Sequence, residues 1–279
     1  MVHSFPDRAL LFSASTGVDS QVSNRARPGV PVQSSSMESS SENTAHSANS
    51  SCTLVVMAKA PRAGTVKTRL AQSLPVEAVT ELYRCLLDDT MALARSLGTV
   101  EVAIMCPASD VEELTRSAPA GVGVVAQKGE GLAAGLTSVF AHFAAPGRQR
   151  VVAFNSDSPH LPPSVLEAAF DTLTAHDVVV GPTHDGGYYL VGAKAVHPAL
   201  FEGDGMGTKS ALEALLARAR GLELSVGFTD PFYDIDVGDD LTRLAAELQL
   251  APGRAPRTAA WLKQWGQVVA QLRTGVGDL

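Results

Sequence analysis

Three short stretches of this 279-residue chain concentrate side chains that can do chemistry. The first is Val151-Val152-Ala153-Phe154-Asn155-Ser156-Asp157-Ser158-Pro159-His160-Leu161-Pro162. Its four leading apolar residues read as a buried parallel strand. Pro159 and Pro162 cannot extend that strand. Asp157 therefore stands where a strand of an open α/β sheet stops, the place where such sheets bind ligands. A carboxylate in a proline-stiffened turn suits a divalent cation carrying a phosphate. It also suits the cap of the helix opened by Pro162-Pro163-Ser164, and position alone leaves both readings open. The second stretch is Lys59-Ala60-Pro61-Arg62-Ala63-Gly64-Thr65-Val66-Lys67-Thr68-Arg69-Leu70. Two of the chain's six lysines stand here beside two arginines. A strand-to-helix loop of this kind is a candidate diphosphate cradle, with Lys67 and Arg69 flanking one anion. The bland reading is a solvated basic loop, and the GxxxxGK[ST] spacing of a P-loop is missing. The third stretch, Phe232-Tyr233-Asp234-Ile235-Asp236-Val237-Gly238-Asp239-Asp240-Leu241, alternates carboxylates with apolar residues. Asp239 and Asp240 suit the positive end of a helix. Asp234 and Asp236 are not explained by capping, and either could complete a metal site with Asp157.

These side chains need a scaffold, and the apolar patterning supplies one. Thr53–Ala58, Val100–Cys106, Val122–Ala126, Val151–Phe154, Asp177–Gly181, Tyr188–Gly192 and Leu222–Phe228 read as strands. Between most of them lie helical patterns, as in an α/β sheet. The helix predicted from Pro75 to Ser96 carries an apolar stripe of Val79, Leu82, Tyr83, Leu86, Leu87, Thr90 and Leu93, which reads as core. Gly129 and Gly131 allow close backbone approach to a ligand, or simply make a loop. Asp185-Gly186-Gly187 signals a turn, and as a bare hairpin turn it would need no other explanation. The crowding of Gly181, Gly186, Gly187 and Gly192 suggests instead a flat surface against which a sugar or nucleotide lies. Phe201 to Lys209 is either a lid or a plain connector. Trp261, Trp265, Val268 and Leu272 repeat at helical spacing, so residues 252–279 read as a C-terminal helix packed on the body.

Composition narrows the class. Apolar residues make up 45% and charged residues 18%, enough apolar surface for a sizeable globular core. The net charge of −7 argues against nonspecific nucleic-acid binding and against a basic membrane-surface protein. Cys52, Cys85 and Cys106 lack CxxC spacing and are odd in number, which fits neither a disulfide framework nor a zinc site and points to the cytoplasm. Residues 1–51 are serine-rich without apolar periodicity and are expected to be a disordered extension. The catalytic domain is expected over 52–251.

Four ordered motifs carry a resemblance. They are Ala58-Lys59-Ala60-Pro61-x-x-Gly64-x-Val66-Lys67-Thr68-Arg69-Leu70, Asp157-Ser158-Pro159-x-Leu161, Gly181-Pro182-x-x-Asp185-Gly186-Gly187-Tyr188-Tyr189-Leu190 and Asp234-Ile235-Asp236-x-x-x-Asp240-Leu241. Together they resemble a bacterial family of nucleotide-diphospho-sugar transferase-like proteins of GT-A type, some tied to arsenosugar biosynthesis. The resemblance spans roughly residues 53–250. It implies a GT-A fold, a Rossmann-like mixed sheet with helices on both faces. It implies Mg²⁺ or Mn²⁺ on Asp157 and Asp236, and nucleotide phosphates on Lys67 and Arg69. Asp185 is then a candidate general base, and Lys59, Pro61, Gly64, Gly131, Gly186, Gly187, Tyr188 and Thr208 are candidate substrate contacts. The implied activity is transfer of a sugar from a nucleotide-sugar donor to a small acceptor. Phospholactate and molybdopterin guanylyltransferases are similar in the opening motif and the metal turn, which keeps nucleotidyl transfer from a nucleoside triphosphate as the alternative.

Overall fold

The computed structural model describes residues 51–144, 150–203 and 210–271. Thr208 and all but the last residue of the serine-rich extension lie outside the described residues. Seven strands form one sheet: β1 (Cys52–Met57), β2 (Glu101–Cys106), β3 (Gly123–Ala126), β4 (Arg150–Asn155), β5 (Val178–Pro182), β6 (Tyr188–Ala193) and β7 (Val226–Phe228). Their order is β3-β2-β1-β4-β6-β5-β7. β6 runs antiparallel to both neighbours, β4 and β5, and every other pairing is parallel. The sheet is therefore mixed, as expected. β4 is parallel on its β1 side only, because β5 and β6 form a hairpin that returns the chain beside it.

The near-continuous apolar strands are covered on both faces, as such runs require. On one face Leu54, Val56, Val152 and Phe154 meet Leu87, Met91 and Ala94 of α1 (Val76–Ser96) and Leu166, Ala169 and Phe170 of α4 (Pro163–Ala175). On the other, Val55, Met105, Val151 and Ala153 meet Leu136, Val139 and Phe140 of α3 (Gly131–Phe143) and Leu215 and Ala219 of α5 (Ala211–Gly221). A short α2 (Val111–Ser117) precedes β3. The apolar surface of α1 is wider than a single stripe. Val79, Leu82 and Leu86 pack away from the sheet, against Leu241, Leu244 and Leu248 of α6 (Gly238–Leu250) and Trp261 and Leu262 of α7 (Pro256–Gln271).

Two expectations are corrected. The strand expected over 222–228 forms only at Val226–Phe228. Leu222, Glu223 and Leu224 instead close α5, their backbone N–H groups bonding to carbonyls of Arg218, Ala219 and Arg220, with Glu223 in a left-handed conformation at φ 57°. Gly181 and Gly192 do not present a flat ligand surface either. A β-carbon at Gly181 would lie 2.5 Å from the Tyr189 ring, and one at Gly192 would lie 2.8 Å from Val179 and 2.9 Å from Val152. Both glycines are demanded by packing within the sheet.

Candidate active site

The loops that follow β1, β2, β3 and β4 and the β5–β6 hairpin surround one cleft of about 1210 Å³. This is the edge where an open α/β sheet presents its strand ends to ligands. Of the expected site residues, Lys59, Lys67, Arg69, Gly131, Asp157, Asp185, Gly187, Tyr188 and Asp236 line the cleft. Pro61, Gly64 and Gly186 do not. Gly64 serves the turn of the basic loop at φ 75°, the carbonyl of Pro61 accepts from Arg84 Nη2 at 3.3 Å, and Gly186, at φ 91°, makes the hairpin turn.

At the centre of the cleft sits an ion cluster. Lys67 Nζ lies 2.8 Å from Asp157 Oδ2 and 3.4 Å from Asp236 Oδ1. Arg69 Nη1 lies 2.9 Å from Asp236 Oδ2. The Lys67 side chain is 4% exposed and that of Arg69 is 65% exposed. Lys67 adopts φ 48°, the left-handed region that a side-chain-bearing residue enters at a cost, and such strain concentrates at functional sites. Burial alone would lower the lysine's pKa, but Asp157 and then Asp236 hold it above its ordinary value. Asp234 also belongs here: burial pushes its carboxyl up to about 6, against the pull of Lys67. Lys67 and Arg69 thus flank a carboxylate where the sequence placed an anion.

Backbone bonds make the acidic side of the cluster rigid. Ile235 N donates to the Asp157 carbonyl at 3.1 Å, and Ser158 Oγ donates to the Tyr233 carbonyl at 3.1 Å. Asp240 Oδ2 accepts from the N–H groups of Asp236 and Val237, both at 2.9 Å, and so fixes the entry to α6. Asp157 does not cap α4, because Pro162 occupies the N-cap of that helix and the Asp157 carboxylate turns to Lys67. In the basic loop, Arg62 is drawn away. It pairs with Asp110 at 2.7 Å and Glu113 at 2.9 Å, while Ala60 N donates to Asp110 Oδ2 at 2.9 Å. Asp110, at the start of α2, anchors the loop, a role its sequence position did not disclose.

Tyr83 is a further residue that sequence reasoning assigned to core alone. Its hydroxyl shares a hydrogen bond with Ser156 Oγ at 3.0 Å and accepts from Lys59 N at 3.1 Å, tying α1 to the turns beneath the cleft. Asp185 Oδ1 accepts from Thr183 Oγ1 at 2.6 Å and Gly187 N at 3.3 Å. The hairpin-turn reading of Asp185 therefore holds, and the same turn faces the cleft.

The cofactor that the resemblance implies is a divalent cation. Asp157 Oδ2 and Asp236 Oδ1 already converge on one cation, the lysine ammonium. Among the described residues no group of three or more acidic, histidine or cysteine side chains is spaced to hold a metal. Two carboxylates, with the other positions filled by water and phosphate oxygens, is nonetheless the coordination Mg²⁺ prefers. Asp157 and Asp236 fit the ion on that count.

Residues 90–208 match the model of a family described as "Uncharacterized protein conserved in bacteria (DUF2064)". Among solved structures, a provisional nucleotide-diphospho-sugar transferase from Desulfovibrio desulfuricans G20 shares 26% identity at a TM-score of 0.73, over 80% of this chain and 98% of that one. The resemblance read from the motifs stands. A homologue of Mycobacterium tuberculosis Rv0371c from Mycobacterium sp. strain JC1 reaches a TM-score of 0.51 at 21% identity, covering 73% of this chain and 100% of that one. A Methanothermobacter nucleotidyl transferase reaches 0.52 at 17%, covering 72% and 98%. These last two speak to the fold alone. No curated protein matches the chain significantly. Among the described residues, no helix is long and apolar enough to cross a membrane.

Proposed function

We propose that this chain is a metal-dependent glycosyltransferase that takes a nucleotide-sugar donor and passes the sugar to a small acceptor. The observation that supports it most is the meeting of Asp157, Asp236, Lys67 and Arg69 in one cleft, from three separate parts of the chain. Likeness to the Desulfovibrio protein, provisionally a nucleotide-diphospho-sugar transferase, adds to it. In such a reaction negative charge grows on the departing nucleoside diphosphate, and groups aimed at that charge lower the barrier. Arg69 and Lys67 would take phosphate oxygens. Asp157 and Asp236 would hold Mg²⁺ or Mn²⁺, which neutralises the leaving diphosphate when bound. Asp185, held by Thr183 and Gly187 on a cleft-lining turn, is the candidate base for the acceptor hydroxyl. The role is read as cytoplasmic, with neither nucleic acid nor membrane as partner.

The second reading is nucleotidyl transfer. The stretch Gly131-Leu132-Ala133, which resembles the base-side loop of guanylyltransferases, and the Gly129–Gly131 turn before it support that reading. Both glycines have positive φ, 79° and 81°, and the loop lines the same cleft. A β-carbon at Gly131 would meet nothing within 4 Å, so a flat base could approach the backbone there. Pyrophosphate released from GTP without sugar turnover would select this reading.

A thermal-shift panel of nucleotides and nucleotide sugars, with and without Mn²⁺, tests the proposal. A ligand at a hundredfold excess over its Kd adds about 2.7 kcal/mol to the folded state, a rise of about 5–10 °C for a domain of this size. Asp157→Ala and Asp157→Asn should each abolish the Mn²⁺-dependent part of that rise. A metal-dependent increment that survives in both variants removes Asp157 from the metal site.

A further inference from the structure

The ammonium of Lys67 occupies the point that a divalent cation would need. It holds Asp157 Oδ2 at 2.8 Å and Asp236 Oδ1 at 3.4 Å, and its side chain is almost wholly buried. A divalent metal takes carboxylate oxygens at about 2.0–2.6 Å, so the metal and the ammonium cannot share these two atoms. The acidic side is fixed by the Ile235–Asp157, Ser158–Tyr233 and Asp240–Asp236 hydrogen bonds. The lysine is the part that can move. Its side chain is long and flexible, and it rises from a backbone held in the left-handed region at φ 48°.

From this we infer that Lys67 is a tethered competitor of the metal. The inference rests on the metal-dependent reading given above and adds the part Lys67 plays in it. Without metal the ammonium closes the carboxylates together and shields their repulsion. When Mg²⁺ or Mn²⁺ is bound, Lys67 yields the two oxygens. Its charge swings into the cleft, where a diphosphate accepts it. Because each ligand favours the same released lysine, metal and diphosphate strengthen one another's binding, and the coupling is reciprocal. In metal-free protein the lysine keeps the acidic site quiet, so the metal binds weakly until the nucleotide arrives.

Mn²⁺ binding, followed by the electron paramagnetic resonance of free Mn²⁺ without any nucleotide, separates the possibilities. Lys67→Met keeps most of the length of the side chain and removes its charge. It should bind Mn²⁺ at least about fivefold more tightly than wild type, the lower end of ordinary coupling between sites. A second measurement on the wild-type chain does not depend on that variant folding. Acylation of amines, mapped by mass spectrometry, should run slowly at Lys67 in metal-free protein and several-fold faster with saturating Mg²⁺. If wild type binds Mn²⁺ and Asp157→Asn does not, yet Lys67→Met binds no more tightly or Mg²⁺ leaves Lys67 acylation unchanged, the competitor role is overturned and the metal-dependent enzyme stands. If neither wild type nor Lys67→Met binds Mn²⁺ at millimolar concentration, the competitor role falls; if Mn²⁺ then also adds nothing to the thermal shift given by a nucleotide, the metal-dependent reading falls with it.

Discussion

Three cations of one loop meet three fates. Arg62 is tied to Asp110 and Glu113, Lys67 is buried between Asp157 and Asp236, and Arg69 reaches Asp236 from solvent. Residue type and spacing showed that the loop is cationic and that capping does not explain Asp236, and they left Asp157 open between a ligand site and a cap. They did not show that the cations would be neutralised by carboxylates, because the partners lie far along the chain: Lys67 and Asp236 are 169 positions apart. The division of labour is testable. An exposed ion pair such as Arg69–Asp236 contributes no more than about 1 kcal/mol. Arg69→Ala should therefore leave the melting temperature of ligand-free protein within about 4 °C while weakening nucleotide binding in calorimetry. Arg62→Ala should do the reverse, lowering the melting temperature and sparing the affinity. Equal loss of affinity in both variants would place Arg62 in the binding site and refute the assignment.

At the scale of elements, most strands and helices follow from apolar periodicity, and the errors have local causes. Leu222 and Leu224 look like strand residues, yet the closing turn of α5 claims their backbone. The glycines of β5 and β6 look like a ligand surface, yet tight packing claims them. The apolar surface of α1 was legible, but its two-sided use was not, because one stripe on paper serves two partners in space. Leu87 and Met91 meet the sheet, Leu82 and Leu86 meet α6 and α7, and Tyr83 reaches Ser156 under the cleft. On the same helix, Asp89 holds the start of α7. Its carboxylate accepts from Thr258 N and Thr258 Oγ1, each at 2.8 Å, and from Arg257 N at 3.2 Å. Asp89→Ala would leave these buried donors without a partner, a cost of about 1–3 kcal/mol. The melting temperature should drop by roughly 2–12 °C, with nucleotide affinity unchanged in calorimetry. No drop would mean that α7 is held by Trp261 and Leu262 alone; a loss of affinity would mean that α7 shapes the cleft.

For the whole molecule, the sheet order and the convergence of the acidic turns depend on pairings that no local pattern states, whereas the gathering of the charged loops at one end of the strands was legible because the topology of such sheets imposes it. The same long-range packing creates an acid weakness in His160, which is fully buried and, among the described residues, has no hydrogen-bond partner at either ring nitrogen. Its ring lies 4.8 Å from that of Phe232 and 4.5 Å from that of Tyr233. Burial, together with the charges of Arg243 and Arg254, lowers its pKa to about 3. A histidine held neutral in the fold titrates near 6.5 when unfolded. Its contribution is therefore intact above about pH 6.5 and is lost as pH falls toward 3, at up to about 1.4 kcal/mol per pH unit. Asp234 works in the opposite direction. Its folded carboxyl titrates near 6, above the usual value of about 3.9, so acid relieves a penalty there over roughly pH 6 to 4. A single stability curve would blend the two. The difference between wild type and His160→Leu isolates the histidine, because Asp234 is common to both. Urea unfolding at several pH values should show wild type losing ground to the variant steadily between pH 6 and 4. Parallel curves over that range would mean that His160 is charged or solvated in the fold, and that the packing of its ring against Phe232 and Tyr233 is not what sets its acid response.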